Sequence, residues 1–500
     1  MAQITVTTDR VIGQVDRRIF GGFIENEGRA IDGGVYEPGS PFADESGVRT
    51  DTRDAIAGLS MPVLRWPGGN FVSAYHWVDG VGPREARPSR WDPAWGAVER
   101  NQFGTDEFMT YCADLGTEPY LCFNMGTGTL DEAMAWLEYC NGTEDTHWAN
   151  LRRQHGREEP YGVTYWGLGN EMWGDFQIGH LTAQEYAAKA KRWALALKRV
   201  DPTIQLVACG RDGLQADWDA VVIEALVKYV DWYSMHIYTG SDDHWSNVLQ
   251  VHQVDRALDY AGALIAGARY RQGVEHPVHI TYDEWNTWFA TRNDRRRGEL
   301  VQERHTLSDA LAVATYLNIF VRRSDVVKMA NLAQVVNVLA PIVTGPDGVL
   351  KQAIYHPFAI AAAHTQDLAV DTYVECPSYA HTVEHNDRWK HTVSDLGPFP
   401  VLDVAATRSA DGTRLVVSVI NRDPESEHRI SLVLADTALA GNVTVRTISG
   451  PHPLATNEWD APDVVGVQES ALDGSGNALE LTVGACSYVQ IDAPIGAHRD

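Results

Sequence analysis

A chain of 500 residues with 44% apolar side chains has room for one large domain and a smaller one, and shows no sign of wholesale disorder. Its formal charge of −26 argues against nucleic acid and anionic membranes as partners and suits a neutral ligand such as a sugar. No stretch approaches the length of a bilayer-spanning helix. The six cysteines (Cys112, Cys122, Cys140, Cys209, Cys376 and Cys486) lack paired spacing and read as reduced, buried thiols, which points to the cytoplasm.

Met1–Val6 alternates apolar and polar residues and lacks the basic start and apolar core of a signal peptide. Residues 3–16 are expected to form one or two strands. In a cytoplasmic chain the acceptor patterns at Asn141 and Asn442 carry no meaning for glycosylation. From Ile19 onward, short apolar runs alternate with segments of helical spacing. The runs are Ile19–Ile24, Pro62–Pro67, Pro119–Met125, Val163–Gly169, Ile204–Cys209, Trp232–Tyr238, Val278–Trp285 and Val326–Ala333, eight in all. Among the helices, one opens with a capping box at Thr182 and Glu185. It presents Tyr186, Ala190, Trp193, Ala194 and Leu197 on one face and stops at Asp201-Pro202. Another, Leu307–Val321, is apolar on most sides and should be deeply packed.

Eight strands interleaved with helices predict an α/β fold, a (β/α)₈ TIM barrel over residues 19–375. A doubly wound open sheet is the alternative, but Trp66-Pro67-Gly68-Gly69-Asn70 lacks the GxGxxG spacing of its phosphate loop. After about residue 375 the helical period vanishes. Alternating strands follow at Leu415, Val417 and Val419, at Ile430, Leu432 and Leu434, at Val443 and Val445, and at Leu479, Leu481 and Val483. Asp411-Gly412 marks a hairpin turn. Residues 376–500 are therefore expected to form a C-terminal β-sandwich of jelly-roll type, with the N-terminal strands of residues 1–18 joining it.

Two strand ends carry the chemistry. Tyr165–Gly169 runs into Asn170-Glu171, and Val278–Asp283 runs into Glu284-Trp285. In a barrel the catalytic groups stand at the C-terminal ends of strands. Glu171 and Glu284 would face each other across the site as acid/base and nucleophile of a retaining glycosidase, with carboxyl groups about 5–5.5 Å apart. Their repulsion would keep the acid protonated. A salt-bridged strand end is the bland reading of either Glu alone, and their equivalent positions outweigh it.

Gly169-Asn170-Glu171 and Tyr282-Asp283-Glu284-Trp285-Asn286 resemble glycoside hydrolase family 51, the α-L-arabinofuranosidases. So do Phe23–Arg29, Gly34–Gly39, Pro62–Phe71, His76–Pro83 and Asn331–Asn337. The resemblance implies that Glu171 is the acid/base and Glu284 the nucleophile of an exo-acting enzyme releasing terminal arabinofuranosyl residues. It implies that Asn170 binds the sugar 2-OH, that Glu25, Asn70 and Gln334 bind other hydroxyls, that Tyr238 and His236 orient Glu284, and that Trp288 lines the pocket. It further implies a cytoplasmic homo-oligomer, a hexamer, acting on short oligosaccharides.

The resemblance breaks at Asn26, where many relatives have His, and at Ala30-Ile31-Asp32. Both lie near the sugar pocket, so a galactofuranoside, xyloside or glucan is the alternative substrate. A non-catalytic carbohydrate-binding barrel is a third reading. No metal or cofactor is expected, since no HExxH or paired cysteines occur and His76, His236, His244 and His252 form no compact ligand group. The run Arg295-Arg296-Arg297 reads as a solvated loop beside Asp294 and Glu299.

Overall fold

The computed structural model describes residues 1–214, 216–288, 302–381 and 397–496. Arg295–Arg297 lie outside them. Eight parallel strands close into a barrel in chain order: Gly21–Phe23, Val63–Trp66, Glu118–Cys122, Tyr165–Leu168, Gln205–Ala208, Trp232–Thr239, His279–Thr287 and Val327–Ala333. Each falls on one of the eight apolar runs, because a parallel strand covered by helices is buried on both faces and reads as an unbroken apolar stretch. The helices form as their sequences direct. Thr182 accepts from the Glu185 N–H, the Glu185 side chain answers on the Thr182 N–H, and the helix runs Ala183–Val200 with its apolar face buried.

The second layer is a nine-stranded sheet curled over one apolar core. Ala2–Gln14 lies inside it, antiparallel to Leu368–Glu375 and parallel to His428–Leu434. Leu368–Glu375 also pairs with Leu402–Arg408, so the sheet draws on chain that precedes residue 376. Its alternating positions Leu415, Val417, Val419, Ile430, Leu432 and Leu434 all point into that core. The turn at Asp411-Gly412 joins Leu402–Arg408 to Arg414–Asn421, with Gly412 at φ 71.

Helix Leu307–Arg322 is apolar on nearly every side because it is pressed between the two layers. Tyr316 and Phe320 pack on Trp285 of the seventh barrel strand. Leu307 and Leu311 share a cluster with Ile448 and Tyr488 of the sheet and with Val465 just before one of its strands. All six cysteines are free and five of them are buried.

Candidate active site

The site sits at the C-terminal mouth of the barrel and is built from three irregularities at strand ends. The fourth strand stops at Leu168, and Gly169 turns the chain at φ 80. Glu171 follows with φ 44, a left-handed conformation that costs a residue with a Cβ and is typically retained where a side chain must be aimed. Gly174 N–H closes a turn on the Glu171 carbonyl at 2.8 Å, and Gln177 holds the Asn170 carbonyl at 2.6 Å.

The seventh strand supplies the second irregularity. Its register with the sixth strand slips between Thr281, opposite Ser234, and Glu284, opposite His236. One extra residue on the seventh strand breaks the alternation of faces, so Asp283 and Glu284 both make contacts inside the barrel. Tyr120 donates to Asp283 at 2.7 Å, and Ser234 makes a short hydrogen bond to the same carboxylate. Glu284 accepts from Arg65 Nη1 at 2.7 Å on Oε1 and from the Tyr238 hydroxyl at 2.9 Å on Oε2.

Around these carboxylates the charges interlock. Arg65, buried in the second strand, spends its other nitrogen on Asn170 Oδ1 at 2.6 Å. That bond fixes the amide, whose Nδ2 is buried and has no hydrogen-bond partner among the described residues. His236 lies 2.9 Å from Glu171 through Nδ1 and 3.2 Å from Asp283 through Nε2. Glu284 Oε2 is 3.5 Å from Nδ1. The sequence sets His236 to orient Glu284, whereas its closer partner is Glu171. The imidazole thus sits between the two glutamates, and one ligand-type atom from each of the three lies within 4.8 Å of the others.

Burial alone would lower the pKa of His236, but Glu284, Asp283 and Glu171 outweigh it and push it up to about 10. Burial also opposes ionisation of Asp283, yet Arg65 and His236 hold its carboxyl well below the usual range. Glu284 is raised by burial, against the pull of His236 and Arg65. Glu171, His236 and Glu284 are the described groups close enough to hold a metal ion. The Arg65 guanidinium, and an imidazole whose surroundings favour its charged form, oppose a further cation in that space.

The third irregularity follows the first and second strands. Glu25 accepts from the Phe71 N–H at 2.8 Å and from Trp95 Nε1 at 3.1 Å. A Cβ on Gly69 would stand 2.2 Å from the Glu25 carboxylate, so the glycine lets backbone and acid meet. Burial, reinforced by the Glu284 charge, pushes Glu25 up to about 8. Gln334, just past the eighth strand, accepts from the Glu25 N–H at 2.9 Å and donates to Glu27 at 2.7 Å. Asn70 is half-buried between Gly69 and Phe71. Trp288 packs edge-on against Tyr238, with ring centroids 5.4 Å apart. Asn26 turns away to Glu99, and Asp32 is exposed.

Arg65, Asp283, Tyr120, Ser234 and Trp95 were given no role by the sequence. Arg65 carried a usable signal, since a charge inside an apolar strand needs a buried partner. Trp95 carried none.

The chain is similar to known proteins over nearly its whole length. The α-L-arabinofuranosidase 1 domain model matches residues 55–256, and the α-L-arabinofuranosidase C-terminal domain model matches residues 283–487. The chain is 43% identical over 489 residues to α-L-arabinofuranosidase C of Emericella nidulans, covering 95% of this chain and 94% of that one. It is 37% identical to an intracellular exo-α-(1→5)-L-arabinofuranosidase 1 of Bacillus subtilis, over 86% and 87% of the two chains. It superposes on the thermostable GH51 α-L-arabinofuranosidase of Thermotoga petrophila with a TM-score of 0.92 at 39% identity, covering 98% of this chain and 100% of that one.

Proposed function

The chain belongs to the family 51 α-L-arabinofuranosidases, and we propose that it cleaves terminal arabinofuranosyl residues from short oligosaccharides with retention of configuration. The observation that carries this is the pair Glu171 and Glu284, with carboxylate oxygens within 4.8 Å of each other across His236. A retaining pair needs about 5–5.5 Å, and an inverting pair needs about 6.5–9.5 Å to admit water.

In the first step Glu284 attacks the anomeric carbon while Glu171 protonates the departing oxygen, leaving an arabinofuranosyl ester on Glu284. In the second, Glu171 takes a proton from water, which attacks the same carbon and frees Glu284. Arg65 and Tyr238 aim the nucleophile. Asn170 Nδ2 is free to bond the 2-OH, a contact that strengthens in the transition state. Glu25, Asn70 and Gln334 hold the remaining hydroxyls, and Trp288 covers the pocket beside Tyr238. His236 passes the electrostatic state of one glutamate to the other: as negative charge leaves Glu284, its hydrogen bond to Glu171 becomes the larger share of its partnership.

Exo action on α-(1→5)-linked oligosaccharides is supported by the Bacillus subtilis relative's name, which also supports a cytoplasmic setting together with the free thiols. Assembly into a homo-oligomer, a hexamer, rests on family resemblance. Light scattering that returned only a species of about 55 kDa would remove it.

The mechanism is tested with an aryl α-L-arabinofuranoside. Glu284→Gln should abolish turnover while sugar binding persists. Glu171→Ala should lose roughly 10²–10⁴-fold in rate on poor leaving groups and recover with azide, giving an azide product of retained configuration. Proton NMR of the first product distinguishes the anomers, and an inverted sugar would overturn the double displacement.

A further inference from the structure

The barrel mouth carries a small hairpin, Arg90–Asp92 paired with Ala97–Glu99, whose tip delivers Trp95 to Glu25. It has little core of its own. Trp91 and Val98 are 63% and 58% exposed, so apart from Trp95, which packs on the barrel core, burial does little to hold it down. Asp92 orders the tip by accepting from the Ala94 and Trp95 N–H groups at 2.9 and 3.1 Å. At its outer edge Arg90 pairs with Asp79, but Arg90 is largely exposed and such a pair is worth little. On the barrel side, Asn26 Nδ2 donates to Glu99 Oε2 at 2.8 Å. Glu99 Oε1 accepts from the Asn101 N–H at 2.5 Å, where the chain turns through φ 56 to leave the hairpin. Asn26 is the residue after Glu25, so one short stretch of the first βα loop holds both the hairpin's base and its tip.

We propose that Asn26 is a positioning residue: through Glu99 it clamps the 90–99 hairpin over the sugar pocket and so sets the Trp95–Glu25 contact. The Asn26 Nδ2 is engaged by Glu99, so its part in the pocket runs through the hairpin. The amide thereby sets how firmly the pocket wall is held and how Trp95 meets Glu25. The inference rests on the arabinofuranosidase reading for its kinetic arm alone.

The clamp is tested in the full-length protein by hydrogen exchange and steady-state kinetics. Asn26→Ala should raise exchange in the 90–99 segment about fivefold or more, with Val63–Trp66 unchanged, as expected for one lost bond to a half-buried carboxylate. On an aryl α-L-arabinofuranoside it should raise KM by about the same factor and change kcat by less than about twofold. Combined with Trp95→Phe it should add nothing to the effect of Trp95→Phe alone. Pairing Asn26→Asp with Glu99→Gln reverses the donor and acceptor and should restore KM. Unchanged exchange in the hairpin, or an Asn26→Ala effect that multiplies with Trp95→Phe, overturns the clamp. A wild-type protein without arabinofuranosidase activity would remove the reaction reading, and the exchange measurement would still decide the clamp.

Discussion

Arg65 binds Glu284 at 2.7 Å through Nη1 while its Nη2 holds Asn170 at 2.6 Å, so one guanidinium locks the amide that follows the fourth strand to the seventh strand's carboxylate. The two nitrogens diverge at a fixed angle, which a lysine ammonium cannot copy. Arg65→Lys should therefore fold, because a cation remains beside Asp283 and Glu284. It should lose kcat/KM by about 10-fold or more, with the loss mainly in kcat, since the proposed Asn170 contact with the 2-OH is one that strengthens in the transition state. Kinetics on an aryl arabinofuranoside check this, and a loss confined to KM would place Arg65 in ground-state binding.

Tyr238 gives Glu284 its second hydrogen bond, on the oxygen opposite Arg65. Burial already raises Glu284. Removing a donor from the ionised form raises it further. Tyr238→Phe should thus move the acid limb of the kcat/KM profile to higher pH and lower the plateau by about 10-fold. A limb that stays in place would mean that it reports another group.

Much of this arrangement was legible in the sequence, for identifiable reasons. Barrel strands announce themselves as apolar runs because helices cover them, and Glu171 and Glu284 stand out because each ends such a run. The slip at Asp283 was not legible, since a bulge alters register without any residue that marks it; Asp283 would have been read as facing away from Glu284. The hairpin around Trp95 was also hidden. Its strands are three residues each and mostly exposed, too short for any period to show. Leu368–Glu375 looked like the tail of the barrel because nothing local says that its partner is Ala2–Gln14, more than 350 residues away.

Glu25 makes stability depend on pH. Its folded value of about 8 lies above the ordinary 4.5. A carboxyl raised on folding contributes stability that is fully present below its unfolded pKa and is lost as pH rises through the folded one. The window is thus about pH 4.5 to 8. Glu25→Gln removes the ionisation, so the difference between wild type and variant should shift in the variant's favour across that window. Urea unfolding of both proteins at pH 5 and pH 8.5 measures it, and a difference that stays constant would show that Glu25 ionises freely in the fold.

The two layers are joined by a buried charge cluster whose loss should be felt as a loss of cooperativity. Asp403 on the sheet accepts from both terminal nitrogens of Arg322 at 3.0 and 3.2 Å and from Asn318 at 2.7 Å, both residues on helix Leu307–Arg322. Arg422 donates to it at 2.6 Å. Burial opposes its charge, but Arg322 and Arg422 outweigh burial and hold Asp403 well below the usual carboxylate range. Such a cluster is poor evidence of net stability, because an apolar replacement of all its members could do as well. Breaking it from one side is different. Asp403→Asn leaves the buried Arg422 and the part-buried Arg322 with only Asp255 as counter-charge, which costs about 3 kcal/mol. Asn318 and Arg322 share the helix that carries Tyr316 and Phe320 against Trp285, beside Glu284. The expected outcome is a lowered melting temperature with the sheet separating before the barrel, followed by loss of activity at temperatures the wild type tolerates. Calorimetry together with activity after heating tests this. A single transition at the wild-type temperature would mean that the apolar contacts of Leu307 and Leu311 with the sheet suffice without the charges.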